Sequence, residues 1–279
     1  MQNGKTQMCI VIILSLFAMQ GMAQSLKSLM QRPFNIIESN WERNSKEDLQ
    51  LVYTNNDYCD YYVYRIDDRS YNLRPGKNTM FTIPKGSNVD NPFKEPSSFM
   101  YFRGNFVKDF DIKFPYALPV KNGKVTAWKT DLRESVKTLN FYMHRGDTVY
   151  ATRSGIACKT TNPRQLLIYH ADHTFAAYLV MDENFIVPGE QVLTGQPVGI
   201  AGKTCVSITY FFLDENKFDA LQATGYAYSH FMPTFRTTEG DVIMEEKKKY
   251  EAVTDDDLIM RDMSKREQKK YLKKKNKNK

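Results

Sequence analysis

Residues 188–202 read Pro188-Gly189-Glu190-Gln191-Val192-Leu193-Thr194-Gly195-Gln196-Pro197-Val198-Gly199-Ile200-Ala201-Gly202. Glycines at 189, 195, 199 and 202 cut this stretch into apolar pieces too short for a helix. Tight hairpins need positive φ at one or two positions, and glycine takes it without steric cost. The same punctuation runs upstream through Gly146 and Gly155. Between the glycines lie short β-branched or aromatic runs at 148–151, 156–158, 166–169, 176–179, 196–200 and 206–213. A series of single short strands joined by glycine turns predicts an antiparallel sheet without the alternating helices of a parallel α/β fold.

Three of these segments carry a family resemblance. Gly146-Asp147-Thr148-Val149-Tyr150-Ala151-Thr152-Arg153-Ser154-Gly155-Ile156 resembles the G-T-P-V-Y-A-x-x-x-G-x-V segment of LytM-type (M23) zinc endopeptidases. Leu167-Ile168-Tyr169-His170-Ala171-Asp172 resembles the V-I-x-H-x-D strand that follows it, and Pro188–Gly202 resembles P-G-x-x-V-x-x-G-Q-x-I-G-x-x-G. The resemblance covers roughly residues 114–240. It implies a duplicated-hybrid-motif type of antiparallel β domain. The lead-in Phe114–Val120 (FPYALPV) and Asn122-Gly123 resemble that of relatives with an additional N-terminal β-domain.

The family's chemistry does not carry over with its scaffold. The resemblance places the zinc-ligating His and Asp at Val136 and Asn140, and the assisting His at Val180. The two His of the His-x-His strand fall on Ser207, a catalytic position, and Thr209, the position of the third zinc ligand. Catalytic zinc needs three protein ligands of His, Asp/Glu or Cys type, with one position left to water, whose pKa the ion lowers. Valine offers no lone pair, and neutral Asn, Ser and Thr are poor ligands. The expectation is therefore a degenerate domain: not an enzyme, with no zinc and no other cofactor. A retained groove is expected to involve His144, His170, Tyr178 and Tyr210. A substitute cluster of His170, Asp172 and His173 is disfavoured, because residues three apart on a strand point to opposite faces.

Outside this domain, residues 49–116 hold short aromatic runs (51–53, 61–64, 80–83, 99–102) separated by Asn55-Asn56-Asp57, Arg74-Pro75-Gly76 and Lys85-Gly86-Ser87. They predict a small β-sandwich. Residues 24–48 read as a linker with one short helix. Residues 241–279 read as a charged, partly disordered tail in which Asp255-Asp256-Asp257 starts a short helix. The fold class expected is mainly β: an N-terminal β-sandwich (49–116), an M23-like antiparallel domain (117–240) and a basic tail.

Lys5, the apolar run 9–19 and Gly21-Met22-Ala23 read as a secretory signal (1–23) cleaved near Ala23; a short membrane anchor is the alternative. Export would leave Cys59, Cys158 and Cys205. An odd number excludes a full disulfide framework, leaving one bridge, Cys158 with Cys205, or buried free thiols. The net charge of +7 belongs to the end of the chain, where residues 264–279 carry nine Lys/Arg against one Glu, so a nucleic-acid-binding body is not implied. The Lys-rich tail is able to touch anionic envelope components.

The function expected is binding or regulation in the cell envelope, periplasmic or secreted, with a peptidoglycan peptide or an envelope protein as partner. Degenerate members of the family act as activators of cell-wall amidases, so the resemblance permits that role. The alternatives are an active zinc endopeptidase that cleaves peptidoglycan cross-links through an unusual site, and a structural subunit of an envelope complex.

Overall fold

A computed structural model of the chain describes residues 29, 33–65, 70–88, 99–130, 138–218 and 226–277. The predicted secretory signal lies outside them, as do residues 131–137, which include Val136. The described residues are mainly β, in sheets whose strand pairings are antiparallel except for that of Pro115–Tyr116 with Thr234–Thr237. The largest sheet has eight strands. Across it run Gln191–Val192, Gly155–Ala157, Leu166–Tyr169, Phe175–Leu179, Cys205–Leu213, Thr138–Tyr142 and Trp128–Thr130, and Tyr228–His230 also pairs with Cys205–Leu213. A smaller sheet joins Thr148–Tyr150, Pro197–Ala201 and Met181–Asn184. The Pro188–Gly202 stretch thus supplies an edge to the first sheet and the centre of the second. Gly189 and Gly195 make its turns with φ of +92° and +76°.

The central strands are buried on both faces, which explains their unbroken apolar runs. Alternation sorts their side chains cleanly. Leu139, Phe141, Ala176, Tyr178, Val206, Ile208 and Tyr210 enter one core together with Val149 and Val198 of the smaller sheet. Leu167, Phe175, Ala177, Leu179, Phe211 and Leu213 point the other way.

That second face is covered by the N-terminal region. Its two three-stranded sheets are Ile37–Arg43, Leu49–Asn55 with Gly76–Ile83, and Tyr71–Leu73, Tyr61–Arg65 with Phe99–Arg103. Leu51, Tyr53, Tyr61, Val63, Leu73, Phe99 and Phe102 pack into one cluster with the central-sheet residues. Tyr228 Oη fixes the contact by donating to the Arg103 carbonyl (3.1 Å) and accepting from the Arg103 N–H (2.8 Å).

Two expected boundaries move. The linker expected at 24–48 contains a strand, Ile37–Arg43, in full register with Leu49–Asn55, so the N-terminal sheet begins earlier. The tail expected from 241 belongs in its first part to the folded body. Tyr250–Glu251 pairs with Val125–Thr126, and Met244, Tyr250, Ala252 and Leu258 are buried.

The acidic helix start at Asp255 is present: helix α1, Asp256–Met260, is capped by Asp255 accepting from the Leu258 N–H at 2.8 Å. The lysine-rich end is not disordered but forms helix α2, Lys265–Lys277. Its start is a capping box. The Ser264 N–H donates to Glu267 at 2.8 Å, and the Glu267 N–H donates back to Ser264 Oγ at 3.4 Å. Asp256 holds α2 from outside, accepting from Tyr271 Oη (3.0 Å) and Lys275 Nζ (2.6 Å).

The bridge considered between Cys158 and Cys205 is not formed. All three described cysteines carry free thiols; Cys205 pairs in register with Tyr142, and the thiol next to Cys158 is that of Cys59.

Candidate functional site

Asn140 and Thr209, matched to metal-binding positions of the family, and Ser207, matched to a catalytic one, meet at the pairing of Thr138–Tyr142 with Cys205–Leu213. Asn140 lies directly opposite Ser207, and Thr138 opposite Thr209. The Ser207 hydroxyl donates to Asn140 Oδ1 at 2.5 Å, and the hydroxyls of Thr138 and Thr209 share a hydrogen bond at 2.9 Å. All four side chains are buried. Their neighbours on this face are Ala177 and Leu179, opposite Thr209 and Ser207, which pack into the core beneath the N-terminal region.

Val180 follows directly, with φ of +61°. This left-handed conformation is uncommon for a β-branched residue. Its carbonyl accepts from the Gly202 N–H at 3.2 Å, and its side chain packs against the same core. Three of the five matched positions are therefore contiguous, and Val180 adjoins them. An amide oxygen and hydroxyls already satisfied by one another do not fit zinc, which takes imidazole, thiolate or carboxylate donors.

The four residues expected along a groove separate. Tyr178 and Tyr210 are fully buried on the opposite face of the sheet. Their hydroxyls converge on Thr152: its N–H donates to Tyr178 Oη at 2.7 Å, and Tyr210 Oη donates to its Oγ1 at 3.2 Å. Burial pushes the Tyr178 phenol up to about 12. They are core residues and line no groove with Ser207 and Thr209. His144 is exposed at a turn, where its N–H donates to Asp147 at 2.8 Å.

His170 is buried, with Nδ1 2.8 Å from the Ser154 carbonyl. A carbonyl only accepts, so Nδ1 carries the proton and Nε2 keeps its lone pair. Nε2 is buried and has no hydrogen-bond partner among the described residues. Burial, reinforced by the nearby Arg153 cation, lowers the His170 pKa to about 4. His173 sits across the same turn but stacks on Tyr169 and faces the Phe106 carbonyl at 2.6 Å, so the two imidazoles share no ligand site.

His170 lines a cleft of about 590 Å³ between the sheet edge and α2. Tyr58, Tyr169 and Tyr271 give it aromatic walls, and Glu267, Lys270 and Lys274 add charge. The wall behind it is organised by Arg153, which is buried. Its guanidinium donates to both oxygens of Asp262 (3.0 and 3.1 Å), to Asp172 (2.7 Å) and to Tyr116 Oη (3.0 Å). It also stacks 3.9 Å from the Phe114 ring. Burial works to raise the Asp172 pKa, but the Arg153 charge, the nearby His170 and the hydrogen bonds from Arg153 and Thr174 together outweigh it, and the net shift is downward. This hub ties the C-terminal segment to the hairpin that holds His170. Arg153 lies inside a recognisable motif segment, yet no spacing rule links it to Asp262, over a hundred residues away. Its role was not legible before folding.

Neither the family models nor the curated proteins yield a match to the chain. Among solved structures, the chain is similar to M23 peptidases. Pseudoalterin, a deep-sea M23 metalloprotease, is 16% identical, with 35% of this chain and 70% of that one covered and a TM-score of 0.31. A zinc-containing peptidase from Vibrio cholerae is 12% identical, covering 68% and 87%, with a TM-score of 0.31. Csd3 of Helicobacter pylori is 13% identical, covering 85% and 60%, with a TM-score of 0.27.

Proposed function

We propose that the chain is an exported, M23-like module that binds in the cell envelope without hydrolysing its ligand. The observation that carries this reading is the buried Ser207–Asn140 hydrogen bond, which joins the position where the family resemblance expects a zinc-ligating Asp to one where it expects a catalytic His. The absence of zinc and of any other cofactor is part of the proposal, as are a signal cleaved near Ala23 and a periplasmic or secreted location.

The ligand is a peptidoglycan peptide or a segment of an envelope protein, and the cleft beside α2 receives it. His170 Nε2 accepts an N–H from such a ligand, the tyrosines pack its apolar parts, and Glu267, Lys270 and Lys274 engage its charged ends. The face of α2 carrying Lys265, Arg266, Lys269 and Lys273 is suited to anionic envelope components.

The test is binding of soluble muropeptides to the purified chain, compared with Tyr271→Ala and Lys270→Glu at the cleft wall. Saturable binding weakened at least tenfold by either change supports the reading. Absence of affinity, with recovery of a stable set of envelope proteins instead, favours a structural subunit. Cleavage of the muropeptides favours an active endopeptidase with an unusual site.

A further inference from the structure

Cys59 belongs to the N-terminal region and Cys158 follows the Gly155–Ala157 strand of the central sheet. Both are buried, at 0% and 2% exposure. Their sulfurs and a carboxylate oxygen of Asp57 all lie within 4.8 Å of one another; the Cys59 thiol donates to Asp57 Oδ2 at 3.7 Å and the Cys158 thiol to the Ile156 carbonyl at 3.9 Å.

Such a trio invites either a metal ion or a sulfur–sulfur bond, and the surroundings of Asp57 decide between them. Its Oδ1 already accepts from the backbone N–H groups of Tyr58 and Lys159, each at 2.8 Å. Its Oδ2 accepts from Tyr61 Oη at 3.0 Å and faces the buried Arg103 guanidinium at 3.4 Å. A carboxylate so engaged, with a cation against it, is a poor ligand for a second cation. The two remaining sulfurs fall short of the four donors of a structural zinc site.

We propose that Cys59 and Cys158 form a disulfide that fastens the N-terminal region over the central sheet, covering the face that carries Ser207 and Thr209. Each thiol gives up its proton and the S–S bond forms. The two electrons pass to the disulfide of a thiol oxidant, either an oxidoreductase or oxidised glutathione, which leaves as two thiols after a mixed-disulfide intermediate. Burial pushes the Cys59 thiol up and disfavours the attacking thiolate. The exchange therefore takes place while the N-terminal region is still undocked. In the cell this rests on the proposed export to an oxidising compartment.

The experiment is a redox titration in which the purified full chain is unfolded and refolded in glutathione buffers of graded potential, followed by thiol trapping, intact mass and peptide mapping. The expected result is one Cys59–Cys158 cross-linked peptide pair, with Cys205 alkylated at every potential. The oxidised chain should melt roughly 5–15 °C above the reduced chain. Cys205→Ser should retain both the cross-link and the shift, and Cys59→Ser and Cys158→Ser should lose the cross-link. Three results would overturn the proposal: thiols at 59 and 158 that survive fully oxidising buffer, a cross-link from Cys158 to Cys205, or one metal ion per chain that leaves on removal of either Cys59 or Cys158. Because the titration is performed in vitro, its outcome is independent of export and of what the cleft binds.

Discussion

Ser207 donates its hydroxyl to the Asn140 side-chain oxygen at 2.5 Å, from directly across the pairing of two central strands. Both residues are buried. This pair behaves as a satisfied polar contact inside a sheet core, where its worth comes from leaving no group unpaired.

Ser207→Ala strands Asn140 Oδ1 without its donor and is expected to destabilise the fold by about 1–3 kcal/mol. Replacing both partners by apolar residues of similar shape, as in Asn140→Leu with Ser207→Ala, should cost less than the sum of the single changes. Urea titration of the four variants measures the coupling. Strict additivity would show that the contact is not made in solution.

Arg153 is a buried cation paired with two carboxylates. Arg153→Met leaves Asp172 and Asp262 nearly buried without their cation, and a loss of about 3–5 kcal/mol is expected. The C-terminal segment should detach first, because Asp262 is its anchor. Limited proteolysis should therefore cut within residues 250–277 of the variant while the central sheet stays resistant. Unchanged cleavage would contradict the anchoring role.

His170 predicts an acid-side stability loss. Its pKa in the fold is about 4, below the ordinary 6.5, so the unfolded chain binds the extra proton between these values. Its contribution is complete above pH 6.5 and fades as pH falls toward 4, by up to about 3 kcal/mol. His170→Gln should flatten the stability profile in that window. Asp172, whose pKa is lowered from 3.8, loses its contribution only at still lower pH, so the two effects separate.

The sheet was readable because glycine position and alternation are local signals. Pro188–Gly202 does form adjoining strand segments with left-handed glycine turns, and Gly199 is required for a second reason. A Cβ there would strike the Glu183 carbonyl oxygen of the neighbouring strand. The meeting of Asn140, Ser207 and Thr209 followed from the family-like spacing. Their burial did not, because it depends on where the N-terminal region docks, and no local pattern encodes that. Tyr178 and Tyr210 looked like groove residues by chemistry but occupy the even face of strands whose odd face carries Ser207 and Thr209. For the C-terminal helix the signal was present, since Ser264-x-x-Glu267 is a capping box, and the density of lysine obscured it.

The most direct test of a non-hydrolytic M23-like module is metal analysis of the purified chain by inductively coupled plasma mass spectrometry, paired with digestion of cross-linked peptidoglycan. The expected result is far less than one zinc per chain and no cleavage products with or without added zinc. One zinc per chain, together with cleavage that a chelator abolishes and zinc restores, would contradict it.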